Sequence, residues 1–165
     1  MKTILKICLI MFLPTFGFAL DYEKVFGDWF VVKSSDGADL IATTINDAGG
    51  YIGFRCFSST QKCVHVVSVN TTCTDGSYYP ILINSDYSSM AMDVLCSKNG
   101  EKYELILMKF DEIHQILRGG TYIGFAIPMG SGLFKVSRFS LSGSGSAFDY
   151  VTDKAVNLKK GESFL

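Results

Sequence analysis

Histidine and proline are scarce in this sequence of 165 residues, which holds two of the former and three of the latter. Neither sign of charge is in surplus. Fifteen basic residues against 16 acidic ones leave a formal charge of -1, which is no electrostatic footprint for nucleic acid or an anionic membrane. No apolar run after residue 19 approaches the roughly 20 residues that a membrane-spanning helix needs. There is no G-x-S-x-G nucleophile turn. No P-loop lysine follows Gly119-Gly120 or Gly130-Ser131-Gly132, so these glycines read as turns. At 48% hydrophobic residues, and with no glycine period or heptad, the chain is neither disordered, collagen-like nor coiled-coil.

The shortage of histidine narrows the chemistry. His65 sits in an apolar run, Cys63-Val64-His65-Val66-Val67, and reads as a packed structural residue. His114 follows Ile113 in a helical pattern and reads as a surface or boundary residue. The adjacent carboxylates Asp111-Glu112 suit the positive end of a helix dipole better than a spaced catalytic pair. The sequence therefore predicts no catalytic residue, no cofactor and no metal ligand, and the expectation is a protein that is not an enzyme.

What is present begins with a leader. Lys2 and Lys6 precede the apolar stretch Ile7–Leu13, Pro14 breaks it, and Gly17-Phe18-Ala19 places small residues at the -3 and -1 positions of a cut before Leu20. Residues 1–19 are thus expected to be a signal peptide and residues 20–165 a single β-rich domain, periplasmic or secreted. Cleavage leaves 146 residues with a net charge of -3, since two of the 15 basic residues go with the leader. Of the five cysteines, Cys8 lies in the leader, and Cys56, Cys63, Cys73 and Cys96 remain for an oxidising compartment. Their spacing contains no C-x2-C or C-x4-C knuckle, which argues against zinc. Three pairings are open. A hairpin centred on Ser58-Ser59-Thr60 would set Cys56 opposite Cys63, within disulfide reach, and that favours Cys56–Cys63 with Cys73–Cys96.

The rest of the chain is a series of short β-prone runs separated by Gly, Asn, Asp and Ser clusters. Nine strands are expected: 28–33, 39–45, 50–57, 63–69, 77–83, 90–96, 102–108, 122–127 and 133–141. Turn chemistry at Ser34-Ser35-Asp36-Gly37, Asn46–Gly50, Thr74-Asp75-Gly76 and Asn99-Gly100 divides them. In the last strand Phe134 and Val136 share one parity and Phe139 and Leu141 the other, which predicts a β-bulge near Ser137-Arg138. Phe110, Ile113 and Leu117 recur at helical spacing, with Gly119-Gly120 as a stop. A second helix is expected from about Ser146 to Val156, with a frayed tail from Asn157. The fold class is mainly β: a single antiparallel β-sandwich or barrel-like domain with one or two short helices.

Aromatic residues exceed what a core of this size needs, 19 of the 22 lying beyond the leader. Tyr78, Tyr79 and Tyr87 stand beside turn signals and are the expected contact surface for an unknown protein or glycan partner.

Three segments carry a family likeness. Gly27-Asp28-Trp29-Phe30-Val31 opens the first strand, and Ile116-Leu117-Arg118-Gly119-Gly120 leads into Tyr122-Ile123-Gly124-Phe125. Phe139-Ser140-Leu141-Ser142-Gly143 precedes Ala147. In these the chain resembles the invasion-associated locus B family of small exported proteobacterial proteins. It departs from that family at Lys33, which stands near a family cysteine, and it lacks the family's central Pro-Gly segment. The resemblance implies an exported β-rich domain linked to bacterial interaction with host cells, and it supplies no catalytic or binding residue. The leading expectation is an exported, disulfide-stabilised, non-enzymatic protein that acts by binding a partner, in host-cell interaction or virulence. The alternatives are a periplasmic inhibitor or immunity protein against a cell-wall hydrolase, and a small hydrolase built around one of the histidines.

Overall fold

A computed structural model describes residues 22–34, 37 and 39–162, with side chains through residue 155. The expected leader and the Ser35-Asp36 turn lie outside the described residues. Ten strands form one antiparallel sheet: β1 (Lys24–Phe26), β2 (Trp29–Lys33), β3 (Asp39–Ile45), β4 (Tyr51–Phe57), β5 (Lys62–Ser68), β6 (Tyr78–Ser85), β7 (Ser89–Asn99), β8 (Lys102–Leu107), β9 (Tyr122–Pro128) and β10 (Phe134–Ser140). Two helices complete it, α1 (Phe110–Gly119) and α2 (Ser144–Glu162). The spatial order is β1-β2-β3-β4-β5-β8-β7-β6-β9-β10. Strands β6 to β8 form a meander that runs back on itself, which puts β8 beside β5 and β6 beside β9.

Period-2 patterning sends one face of every long strand inward. Registered neighbours share that face: Ala42 lies opposite Phe54, Ile52 opposite Val67, Val94 opposite Leu107, and Ile83 opposite Phe125. All are buried, with Trp29, Phe148, Ile113 and Leu117 in the same core. Helix α2 packs on β1 to β4, α1 packs on β5 and β9, and the helices touch each other. The Arg118 guanidinium holds the Asp149 carboxylate with bonds of 2.7 and 3.1 Å. The sheet rolls into a sandwich-like body and does not close into a barrel, because β1 and β10 are not paired.

The two ends of the chain's β region are nevertheless clamped together. Trp29 Nε1 donates to the Ser140 carbonyl at 2.9 Å, Asp28 N–H donates to the Ser142 carbonyl at 3.0 Å, and Ser140 Oγ donates to Asp28 at 2.6 Å. Gly143 makes the clamp possible. Its φ is +90°, and a Cβ there would sit 1.9 Å from the Phe26 carbonyl oxygen, so no other residue fits.

Several expectations need correction. The bulge near Ser137-Arg138 is absent, and β10 pairs with β9 without interruption from Phe134 to Ser140. Phe139 and Ser137 face the core, while Phe134 and Val136 lie on the outer face and stay exposed. Helix α2 is not short: it starts at Ser144 and continues past Val156 to Glu162. Strand β1 has no counterpart among the nine expected strands. The hairpin at Asn99-Gly100 is shifted by one residue, since Asn99 pairs with Lys102 and leaves Gly100 and Glu101 as the turn.

Candidate functional site

Both disulfides are formed as the hairpin geometry favoured. Cys56 and Cys63 are direct cross-strand partners on β4 and β5, with Cα atoms 4.1 Å apart. Cys73 and Cys96 are 6.2 Å apart and tie the β5–β6 connection to β7. All four cysteines among the described residues are in disulfides, so none of these four is a thiolate. Among the described residues no group of three His, Cys, Asp or Glu side chains could hold a metal ion, and no helix is long and apolar enough to cross a membrane. The disulfides are those of a protein that matures in an oxidising compartment.

The histidines meet each other. His65 on β5 is fully buried, His114 on α1 is half-buried, and His65 Nε2 lies 3.1 Å from His114 Nδ1. Phe54, Phe110 and Phe148 box in both rings, with centroids 4.9–5.6 Å away. His65 Nδ1 is buried with no hydrogen-bond partner. The least costly assignment therefore leaves Nδ1 as a bare lone pair and makes Nε2–H the donor to His114. Burial, with the His114 charge second, pushes the His65 pKa down to about 3. His114 is also lowered, by burial first and by the Arg118 charge second. Both rings are neutral at pH 7, and neither has another hydrogen-bond partner among the described residues. Such a pair in an aromatic box fills a core.

The second buried polar group lies on the outer face. Arg55 on β4 grips Glu104 on β8 with a fork of 2.7 and 3.0 Å, and the Tyr51 hydroxyl donates to the same carboxylate. Burial alone would raise the Glu104 pKa, but Arg55 and Tyr51 outweigh it and hold the carboxyl below its ordinary value. Burial, with the Glu104 hydrogen bond second, drives the Tyr51 hydroxyl up. These contacts staple β4 to β8 across β5 and leave Arg55 Nε as the one buried atom of the cluster without a hydrogen-bond partner among the described residues.

The three expected contact tyrosines do not form one cluster. Tyr78 and Tyr87 are both exposed, but they lie at opposite ends of β6, whose eight residues span about 25 Å. Tyr87 belongs to the β6–β7 turn and its ring lies beside Gly119. Tyr79 is half-buried against the core, and its hydroxyl accepts the Thr74 N–H at 3.0 Å. Tyr78 alone belongs to a larger feature.

That feature is an apolar area on the outer face of β6, β9 and β10. Register places Ala91, Leu82, Ala126 and Val136 in one row across four strands. Leu82 is 50% exposed, Val136 72% and Phe134 56%. Tyr78 and Pro80 continue the Leu82 stripe along β6, and Pro128 lies opposite Phe134. A shallow trough of about 470 Å³ runs between Leu82, Met90, Ala126 and Val136. The parity change in the last strand was the sequence signal for this surface. Its meaning is an outward apolar pair, Phe134 and Val136, rather than a bulge.

No family model matches the chain, and no curated protein matches its sequence. Its fold is similar to that of a solved structure, invasion associated protein B from Bartonella henselae, at 12% identity and a TM-score of 0.56, over 83% of this chain and 97% of that one. The likeness read from the three sequence segments thus has a counterpart in the fold.

Proposed function

We propose that the protein is an exported, non-enzymatic binding protein that holds a protein partner against the apolar outer face of β6, β9 and β10. The observation that carries this reading is the registered row Ala91–Leu82–Ala126–Val136, with Phe134, Pro80 and Tyr78 around it. Soluble domains rarely leave neighbouring large aliphatic side chains in water unless something covers them. The two histidines and the buried carboxylate are engaged elsewhere: the imidazoles with each other, Glu104 with Arg55 and Tyr51. The disulfides and the expected leader support a periplasmic or secreted location. The name of the Bartonella protein of similar fold favours a role in contact with a host cell, and hence in virulence.

The test compares two sets of folded variants in a partner-capture or host-cell adhesion assay. Leu82→Asp and Val136→Asp should lose capture while circular dichroism stays unchanged, and His114→Ala should keep it. Loss of function in His114→Ala with retention in both aspartate variants would turn the reading from binder to enzyme.

A further inference from the structure

Strand β10 is an edge whose backbone is left open. At the two ends of its hairpin, Leu141 N–H donates to the Thr121 carbonyl and Met129 N–H to the Leu133 carbonyl. Odd-numbered residues of β10 therefore direct their N–H and C=O groups at β9, and even-numbered residues direct theirs away. Ser140 spends its outward carbonyl on Trp29. Phe134, Val136 and Arg138 have no such partner among the described residues. These same three residues project their side chains onto the outer face and are exposed.

We infer that β10 accepts an extended, acidic-apolar peptide segment of the partner as an eleventh strand; this deepens the binding reading above and rests on it. Unpaired edge groups supply main-chain hydrogen bonds, and the side chains beside them supply selectivity. Charge fixes the chemistry of the segment. From Tyr122 through Phe148 the only charged residues are Lys135 and Arg138, with no acid. Arg138 lies over the Tyr122 ring at 3.6 Å, on the outer face in line with Val136 and Phe134. An antiparallel segment thus reads acid-x-apolar-x-apolar from its N-terminus, the acid opposite Arg138 and the apolar residues opposite Val136 and Phe134. A second copy of this chain is a poorer occupant, because its own β10 brings two more basic groups to the seam and no acid.

The probe is a fluorescent nine-residue peptide of alternating valine and threonine with one aspartate at the acid position, titrated by anisotropy into the oxidised protein. Binding should weaken at least tenfold when the amides of the aspartate and valines are N-methylated, and hold when the threonine amides are N-methylated instead. Arg138→Glu should reverse the preference toward a lysine peptide. Val136→Pro, which removes an N–H that no strand uses, should abolish binding, and the methylated peptides keep the test valid if that variant fails to fold. No binding, equal loss from either methylation, or a dimer that Val136→Pro dissociates would each overturn the inference. If partner capture survives Val136→Pro but fails in Leu82→Asp, the outer face binds and the edge does not.

Discussion

The sheet has two edges, and they are built differently. β1 is three residues long, carries Lys24, and lies under α2, where Phe26 meets the Tyr150 ring at 5.7 Å and Lys24 lies over the same ring. β10 is seven residues long, has no helix over it, and presents Phe134 and Val136 to water. Short, charged and covered edges are how β proteins avoid unwanted pairing. Both edges carry charge, β10 at Lys135 and Arg138, but β1 is short and covered whereas β10 is long and uncovered. The proposed binding site sits at the edge that the fold leaves uncovered.

The covered side should hold most of the stability. Phe148 is fully buried between Trp29 and the histidine box, so Phe148→Ala should cost about 3–5 kcal/mol in urea denaturation. Next comes acid. His65 stays neutral in the folded state down to about pH 3, whereas an unfolded histidine protonates near 6.5. The unfolded chain then binds more protons, so the stability held above pH 6.5 falls as pH drops toward 3. By pH 4 the loss from this residue should be about 3 kcal/mol. Melting curves of His65→Phe should lose that portion of the pH dependence. If the wild type is as stable at pH 4 as at pH 7, the box is not closed to protons.

Disulfide removal should show a smaller contrast. The Cys73–Cys96 loop spans 23 positions and the Cys56–Cys63 loop seven, so loop-closure entropy makes the first worth about 1 kcal/mol more. Paired serine variants measured under the same denaturant would check the order. The smallest stability effect belongs to the open edge itself. Val136→Thr should shift stability by less than about 0.5 kcal/mol while weakening partner capture. A large stability loss there would mean that β10 is part of the core.

Much of this was legible in the residues, for reasons that differ by segment. The strands announced themselves by strict alternation, as in Ile52, Phe54 and Cys56, and α1 by Phe110, Ile113 and Leu117 with a glycine stop. Cys56 and Cys63 could be paired because a hairpin of that length leaves them opposite each other. The family-like segments turn out to be neighbours in space. Trp29 bonds the carbonyl of Ser140, and Ser144 Oγ donates to the carbonyl of Leu117 at 2.6 Å, so their shared pattern reflects one clamp. The histidine pair was not legible, because 49 residues separate His65 from His114 and only the docking of α1 on β5 unites them. The apolar face is only half legible in the sequence. Alternation shows that Phe134 and Val136 share a face, but only the register with β9 shows that this face points to water. Tyrosines beside turns are the stronger sequence signal for a contact surface, yet two of the three, Tyr79 and Tyr87, lie apart from that face.

Amide hydrogen exchange along β10, followed by nuclear magnetic resonance, bears on the open edge residue by residue. In the free protein the amides of Lys135, Ser137 and Phe139 should be protected by β9, and those of Phe134, Val136 and Arg138 should exchange quickly. On addition of the captured partner or the acidic peptide, the second set should become protected while the first stays as it was. Protection of Phe134, Val136 and Arg138 already in the free protein, or no change in them when partner is bound, would contradict a binding edge at β10.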